Sequence, residues 1–326
     1  MIEFEGRGYE TVADESVLDC LLRHGVAVDS LCRSGSCQSC LLKATAGSVP
    51  AVAQVGLKPS LKQQGFFLSC VCRPTGVLSV ERVDAAPTYP SRVIRVEPMS
   101  PEVSRVFLAR PPGLEFRAGQ FVQLVRPSDA LMRPYSLASL PLDDELELHV
   151  ALLPGGRMSG WLVGAVGEEI LVRGPFGDCF YQEGEAERPL LLAGTGTGVS
   201  PLFGILKQAA RSGHSGPIAL FHGSPRISGL YLRREVASLN ARLPSLSLIG
   251  SFLDGSPADS DAQERWHLVQ TPLDQLIVSR YPKLDAHRVF LCGNPELVQL
   301  LRKRSYLAGA SLSRIHCDAF AAPHAG

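Results

Sequence analysis

The stretch LCRSGSCQSCLLKATAGSV, residues 31–49, sets Cys32, Cys37 and Cys40 at the spacing C-x4-C-x2-C, and FFLSCVCRP (66–74) adds Cys70 after 29 intervening residues. That is the plant-type spacing of a 2Fe-2S cluster. Three thiolates from one short loop must converge on a group of net negative charge, so the backbone has to wrap tightly and aim N–H groups at the sulfurs. Gly35 offers a position without a Cβ penalty, Ser34, Ser36 and Ser39 are small enough for close approach, and Arg33 adds a positive charge. A zinc site of four cysteines more often shows two C-x2-C pairs. A disulfide framework suits neither the odd total of nine cysteines nor a chain of 326 residues that can bury a core. Cys72, two residues past Cys70, reads as a bystander. With Cys20, Cys179, Cys292 and Cys317 it is by default a small buried hydrophobe.

Working outward, EGRGYETVADESVLDCLLRHGV (5–26) reads as strand, turn and a helix beginning near Glu15, with Val17, Leu18, Leu21 and Leu22 on one face. VLSVERV (77–83) reads as a closing strand. A small sheet on one helix is expected, and residues 1–84 resemble plant-type ferredoxins of the β-grasp fold throughout.

The stretch AAPTYP (85–90) reads as a linker. Beyond it, SRVIRVEPMSPEVSRVFLARPP (91–112), FRAGQFVQLVRP (116–127) and LELHVALL (146–153) are short alternating strands punctuated by Gly and Pro, the pattern of an antiparallel barrel over residues 91–185. Arg133-Pro134-Tyr135-Ser136 resembles the R-x-Y-S signature of the ferredoxin-NADP reductase superfamily. PGGRMSGWL (154–162) places Gly155, Gly156 and Ser159 at a helix start, where free N–H groups suit a flavin pyrophosphate. Arg133 suits the same diphosphate, since a guanidinium grips phosphate oxygens in pairs. The resemblance implies that Tyr135 packs on the flavin ring and that Ser136 approaches its N5. Gly174-Pro175-Phe176-Gly177 follows, as it does where the barrel closes in this superfamily. The resemblance also favours FAD over FMN, because relatives with an N-terminal ferredoxin generally hold FAD.

PLLLAGTGTGVSPLFGILKQA (189–209) is a buried strand, a glycine-rich turn and a helix. Gly194, Gly196 and Gly198 are expected to let the backbone approach a dinucleotide pyrophosphate, with Thr195 among the cofactor-binding residues and Thr197 on the nicotinamide side. Val199 stands where the usual dinucleotide fingerprint has its last Gly. PIALFHGSP (217–225), a helix near YLRREVASLNARL (231–243), LSLIGSF (246–252), a further helix and HRVFLCGNPELVQLLRKR (287–304) continue the alternation. A parallel sheet with helices on both faces follows for residues 186–326. Phe290-Leu291-Cys292-Gly293-Asn294-Pro295 resembles the superfamily's C-G-x-P strand end, which implies Cys292 and Gly293 beside the nicotinamide C4. In the tail SLSRIHCDAFAAPHAG (311–326), Phe320 matches the aromatic that covers the flavin in these relatives; the alternative is a frayed tail with one apolar anchor. Ser224, Arg226, Arg233 and Arg234 lie after the second strand, where a 2′-phosphate would sit, yet exposed arginines are usually only solvated. NADH is the expectation, with NADPH open.

Lys+Arg and Asp+Glu balance at 32 each, which gives no footing for nucleic acid or an anionic membrane. No apolar run is long enough to span a bilayer, and the acidic start MIEFEGRGYE lacks a signal pattern, so a cytoplasmic place is expected. The whole chain resembles the NADH-dependent reductases of bacterial oxygenases, among them the benzoate and naphthalene dioxygenase and methane monooxygenase reductases. It is also similar to reductases serving deoxysugar dehydration, through its Asp-Ala-Phe tail. The resemblance implies an electron-transfer flavoprotein reductase passing reducing equivalents from NADH through FAD to its own 2Fe-2S cluster and on to a terminal oxygenase or other iron protein. Ser136, Cys292 and Phe320 then lie at the hydride-transfer site. No general acid or base is needed, so His24, His149 and His222 receive no role. A free-standing diaphorase or quinone reductase, and a redox sensor without turnover, are the alternatives.

Overall fold

The structure is a computed structural model that describes residues 1–30, 33, 35, 38–57, 59–83, 87–256 and 265–320. Cys32 and Cys37 lie outside the described residues. The chain divides into two compact units, residues 1–86 and 87–320.

The first unit runs β1 (Ile2–Phe4), β2 (Arg7–Tyr9), α1 (Val17–Arg23), β3 (Leu41–Ala46), α2 (Pro59–Gln63), β4 (Phe66–Leu68) and β5 (Leu78–Arg82). Its sheet has the order β2-β1-β5-β3-β4, with β1 and β5 parallel and the other pairs antiparallel. Helix α1 begins at Val17, two residues later than its periodicity suggests, because the Ser16 hydroxyl accepts the Asp19 N–H at 3.1 Å and caps it. Its buried face is Val17, Leu18, Cys20 and Leu21, packed against Phe67, Leu42 and Leu78; Leu22 is half-buried, and Cys20 takes the place expected for it.

The second unit opens with β6 (Thr88–Ser100), β7 (Val103–Ala109), β8 (Phe121–Val125), β9 (Met132–Ser136), β10 (Glu145–Ala151), α3 (Arg157–Leu162) and β11 (Glu169–Phe176). The strand order β10-β7-β6-β11-β8-β9 closes into a barrel through the antiparallel bridge Leu137↔Leu148. Residues 88–90, read from sequence as linker, already belong to β6. Pro90 is tolerated because that part of β6 pairs only with β11, so its missing N–H leaves no second neighbour unsatisfied.

Then follow β12 (Leu190–Thr195), α4 (Val199–Arg211), β13 (Ile218–Arg226), α5 (Arg233–Ala237), β14 (Leu246–Asp254), β15 (Trp266–Gln270), α6 (Leu273–Arg280), β16 (Arg288–Gly293), α7 (Pro295–Leu307) and β17 (Ile315–Ala319). All pairs in the order β15-β14-β13-β12-β16-β17 are parallel. Alternation along β12 sends Leu190 and Leu192 into one core with α4, and Leu191 and Ala193 into the opposite one with α6 and α7. Val103, Ala138 and Cys179 of the barrel side join Leu202, Phe203 and Leu206 of α4 in a single core, which makes barrel and sheet one unit. Among the described residues no helix is long and apolar enough to cross a membrane.

Candidate functional site

In the first unit Cys40 immediately precedes β3 and Cys70 lies two residues past the end of β4, and the pairing Leu41↔Leu68 brings these ends side by side. Ser69 fastens them, its N–H and hydroxyl both donating to the Cys40 carbonyl at 3.1 and 2.8 Å. Both cysteines are buried. Gly35 takes φ +76°, and a Cβ there would lie 3.2 Å from Val71, so Gly35 lies against the residue next to Cys70. Arg33 is less of a free charge than its sequence position suggests: its guanidinium pairs with Asp19 at 3.0 Å. Two buried cysteines brought side by side fit part of a small metal–sulfur site. Cys72 belongs to the core instead, and burial pushes its thiol up to about 12.

In the second unit, the C-terminal edge of the parallel sheet gathers Thr195, Ser224, Arg226, Cys292 and Gly293. Here β17 was missed in the sequence, where IHCDA offers no apolar run. It extends the sheet with Cys292↔Asp318 and Gly293↔Ala319 in register, and the Phe320 N–H donates to the Gly293 carbonyl at 2.7 Å. Phe320 is thus held at the sheet edge, half-buried, rather than in a frayed tail. The barrel reaches this edge through β9, whose Ser136 hydroxyl donates to the Asp318 carboxylate at 2.8 Å, both groups buried. Asp318 carries the contact between the two motifs; it stands in the Asp-Ala-Phe tail, but nothing in its local spacing points to Ser136, 182 residues away.

The glycine loop divides its work. At Gly194 a Cβ would meet Gly198 at 2.9 Å, and at Gly198 it would meet the Cys292 carbonyl at 2.5 Å, so these two serve chain packing. Gly196 alone, at φ +53°, has nothing within 4 Å of its Cβ position and keeps open space against the backbone. Of the three glycines, Gly196 is the one whose Cβ direction faces open space, with Thr197 half-buried beside it. Thr195 is committed to structure, its Oγ1 accepting the Asn294 N–H at 2.9 Å. Gly155, at φ +70°, has the same open space before α3, whereas a Cβ at Gly156 would collide with the buried Ser159 hydroxyl. Arg133 donates to the Met132 carbonyl at 2.7 Å and pairs with no carboxylate among the described residues. Open backbone at Gly155 and Gly196 and an uncompensated guanidinium suit phosphate-bearing cofactors. Half-buried Tyr135 has its phenol pushed up from the ordinary value by burial, and Pro134 is exposed on β9. Ser224 is half-buried under Gly229; Arg226 is exposed, 3.9 Å from Glu102.

Cys292 is buried with its sulfur 3.5 Å from that of Cys179, a partner no motif announces. Burial pushes the Cys292 thiol up; the hydrogen bond to Cys292, with burial, pushes Cys179 up further, so both are neutral thiols at pH 7.

Comparison with known proteins agrees with this layout. Residues 2–75 match the 2Fe-2S iron-sulfur cluster binding domain, 91–181 the oxidoreductase FAD-binding domain and 192–303 the oxidoreductase NAD-binding domain. The chain is 30% identical to the reductase component of the naphthalene 1,2-dioxygenase system of Pseudomonas putida over 94% of each protein. It is also 30% identical to the reductase subunit of an aromatic O-demethylase of Amycolatopsis, over 97% of this chain and 96% of that one. The crystal structure of an Amycolatopsis cytochrome P-450 reductase superposes with a TM-score of 0.69 at 28% identity, covering 98% of both chains. The cofactors are a 2Fe-2S cluster, FAD and NAD(H). With its domains in the order ferredoxin, flavin, nucleotide, the chain belongs to the NAD(P)H-dependent iron–sulfur flavoprotein reductases that include the reductase components of oxygenase systems.

Proposed function

We propose that this chain delivers electrons from NADH to a terminal oxygenase or another iron protein in the cytoplasm, with residues 1–84, 91–185 and 186–326 holding the cluster, FAD and nicotinamide nucleotide respectively. One observation carries the reading of the second unit: the 2.8 Å Ser136–Asp318 hydrogen bond, which joins the R-x-Y-S strand of the barrel to the C-terminal edge of the parallel sheet beside Cys292 and Gly293. FAD accepts hydride as an electron pair and releases electrons singly, which a one-electron iron acceptor requires.

The chain's own groups bind and orient. Arg133 and the Gly155–Gly156 turn with Ser159 take the flavin diphosphate, and Pro134, Tyr135 and Ser136 line its ring. Ser136 is oriented by Asp318, an acceptor-only carboxylate that aims the hydroxyl hydrogen. Gly196 and Thr197, seated on Gly194, Thr195 and Gly198, take the dinucleotide. Ser224 and Arg226 lie toward its ribose, and Cys292, Gly293 and Phe320 bound the nicotinamide. Cys32, Cys37, Cys40 and Cys70 hold the irons. The oxygenase partner is supported by the naphthalene dioxygenase and O-demethylase reductases, near-full-length relatives; Cys20, Cys72, Cys179, Cys292 and Cys317 are thiols rather than disulfides, which suits a reducing compartment.

Anaerobic titration with NADH tests this. Flavin absorbance is expected to bleach and a rhombic paramagnetic signal of a reduced 2Fe-2S cluster to appear. Cys70→Ser is expected to abolish that signal while flavin bleaching persists. Loss of both in the variant would break the division into separate cofactor modules.

A further inference from the structure

Helix α4 begins directly after the glycine loop, and three of its residues, Ser200, Gly204 and Lys207, recur at the spacing of one helix face. All three meet the barrel. The Ser200 hydroxyl lies 3.4 Å from the Ser136 carbonyl. A Cβ at Gly204 would stand 3.0 Å from the Leu137 carbonyl and 3.3 Å from that of Ala138, so helix and strand end are in close contact there. The Lys207 ammonium reaches the Glu147 carboxylate at 2.8 Å. The barrel groups touched are themselves linked, since Leu137 bridges Leu148 and the Ala138 N–H donates to the Glu147 carbonyl. The face of α4 thus follows the chain as it leaves the R-x-Y-S strand.

Glu147 is the node of this seam. It is buried, hydrogen-bonded to Lys207 and to His149 at 3.1 Å, and paired by charge with Arg105 at 3.2 Å. The ionised carboxylate only accepts, so His149 carries its hydrogen on Nε2, and its Nδ1 accepts from the Tyr231 hydroxyl at 2.9 Å. Arg105 continues to Glu235 of α5 at 3.2 Å. Two barrel strands, α4, Tyr231 and α5 are tied through one buried anion.

We propose that this seam is a positioning device for hydride transfer: the Glu147–Lys207 pair and the close contact at Gly204 set α4, and with it the glycine loop, relative to Ser136. Glu147, Lys207 and Gly204 are positioning residues, acting through α4. The inference rests on the functional reading above. Hydride transfer is steeply sensitive to donor–acceptor placement, so a slack seam slows the chemical step without emptying either cofactor site.

The test compares the FAD-loaded parent with Glu147→Gln, Lys207→Met, the double variant and Gly204→Ala, which perturbs the contact sterically without removing a charge. Rapid mixing with NADH and with 4-deuterated NADH is expected to show flavin bleaching slowed about 10-fold or more in each single variant. The isotope effect is expected to rise, with flavin content and half-saturating NADH within about 2-fold of the parent. The double variant is expected to be no slower than Glu147→Gln, because the pair acts as a unit. In the cofactor-free proteins, amide exchange in residues 200–207 and 145–151 is expected to quicken. Bleaching within about 2-fold of the parent in both Glu147→Gln and Gly204→Ala overturns the proposal, and so does unchanged exchange. A parent that does not bleach with NADH overturns the functional reading instead, and exchange then still decides whether the seam holds the helix.

Discussion

His222 and His316 are buried in the second unit, and burial holds both imidazoles down to about 4, from an ordinary 6.5. Between those values the unfolded chain takes up protons that the folded chain refuses. Stability is therefore intact above pH 6.5 and falls as pH drops toward 4, by up to about 1.4 kcal/mol per pH unit for each group. His316→Phe keeps a ring stacked on Phe290, 5.2 Å away in the parent, and removes one titration. Urea unfolding of the second unit at pH 7, 6 and 5 is expected to show a shallower pH dependence in that variant; an unchanged slope would mean that His316 does not titrate in this range. Cys292 is of another kind, since its neutral thiol packs against Cys179 and no proton is asked of it. Cys292→Ser is expected to keep FAD and the fold while slowing NADH-dependent bleaching about 10-fold, read in a stopped-flow trace. The cysteine spacing, Arg133 and the C-G-x-P strand end were legible because local spacing carries them. Asp318, Cys179 and Glu147 were not, because their partners lie 182, 113 and 60 residues away in the chain.

Among the elements, the loop between β12 and α4 separates conformational from packing glycines. Gly196→Ala places a side chain at φ +53° in open space, a strain of about 1–2 kcal/mol. The fold is expected to survive with weaker NADH binding, seen as a raised half-saturation. Gly198→Ala drives a methyl to within 2.5 Å of the Cys292 carbonyl, on backbone that cannot swing aside. It is expected to lower the thermal midpoint of the second unit and to slow bleaching even at saturating NADH. Equal behaviour of the two variants in both readouts would refute the distinction. Element ends depart from local periodicity where pairing and capping decide them. Strand β17 is short and mixed in polarity, IHCDA, and becomes a strand because β16 offers it an edge. The first residues of β6 look like linker because Pro87 and Pro90 punctuate them, yet β11 pairs with the chain from Thr88 onward. Helix α1 starts at its Ser16 cap rather than where apolar spacing first permits it.

At the scale of the molecule, the two compact units are expected to unfold in separable transitions, with Cys70→Ser shifting only the first, followed by calorimetry. The second unit contains a charge with its own acid signature. Burial alone would raise the Glu147 carboxyl, but His149 and the Lys207 ammonium outweigh it and hold it down to about 2, from 4.5. Its contribution is present above pH 4.5 and lost as pH falls toward 2, about 3 kcal/mol at most. Glu147→Gln is expected to be less stable at pH 7 and to lose less between pH 4.5 and 2 than the parent, measured by acid unfolding. Hydrophobic period, glycine placement and ligand spacing act over a few residues, so the three kinds of sheet, their order along the chain and the residue types offered to each cofactor are written locally. Which glycine faces open space, which strand ends meet at Ser136 and Asp318, and the sharing of one core by barrel and parallel sheet come from long-range packing. Those outcomes depend on groups distant in sequence being desolvated together, and no local pattern encodes who is buried against whom.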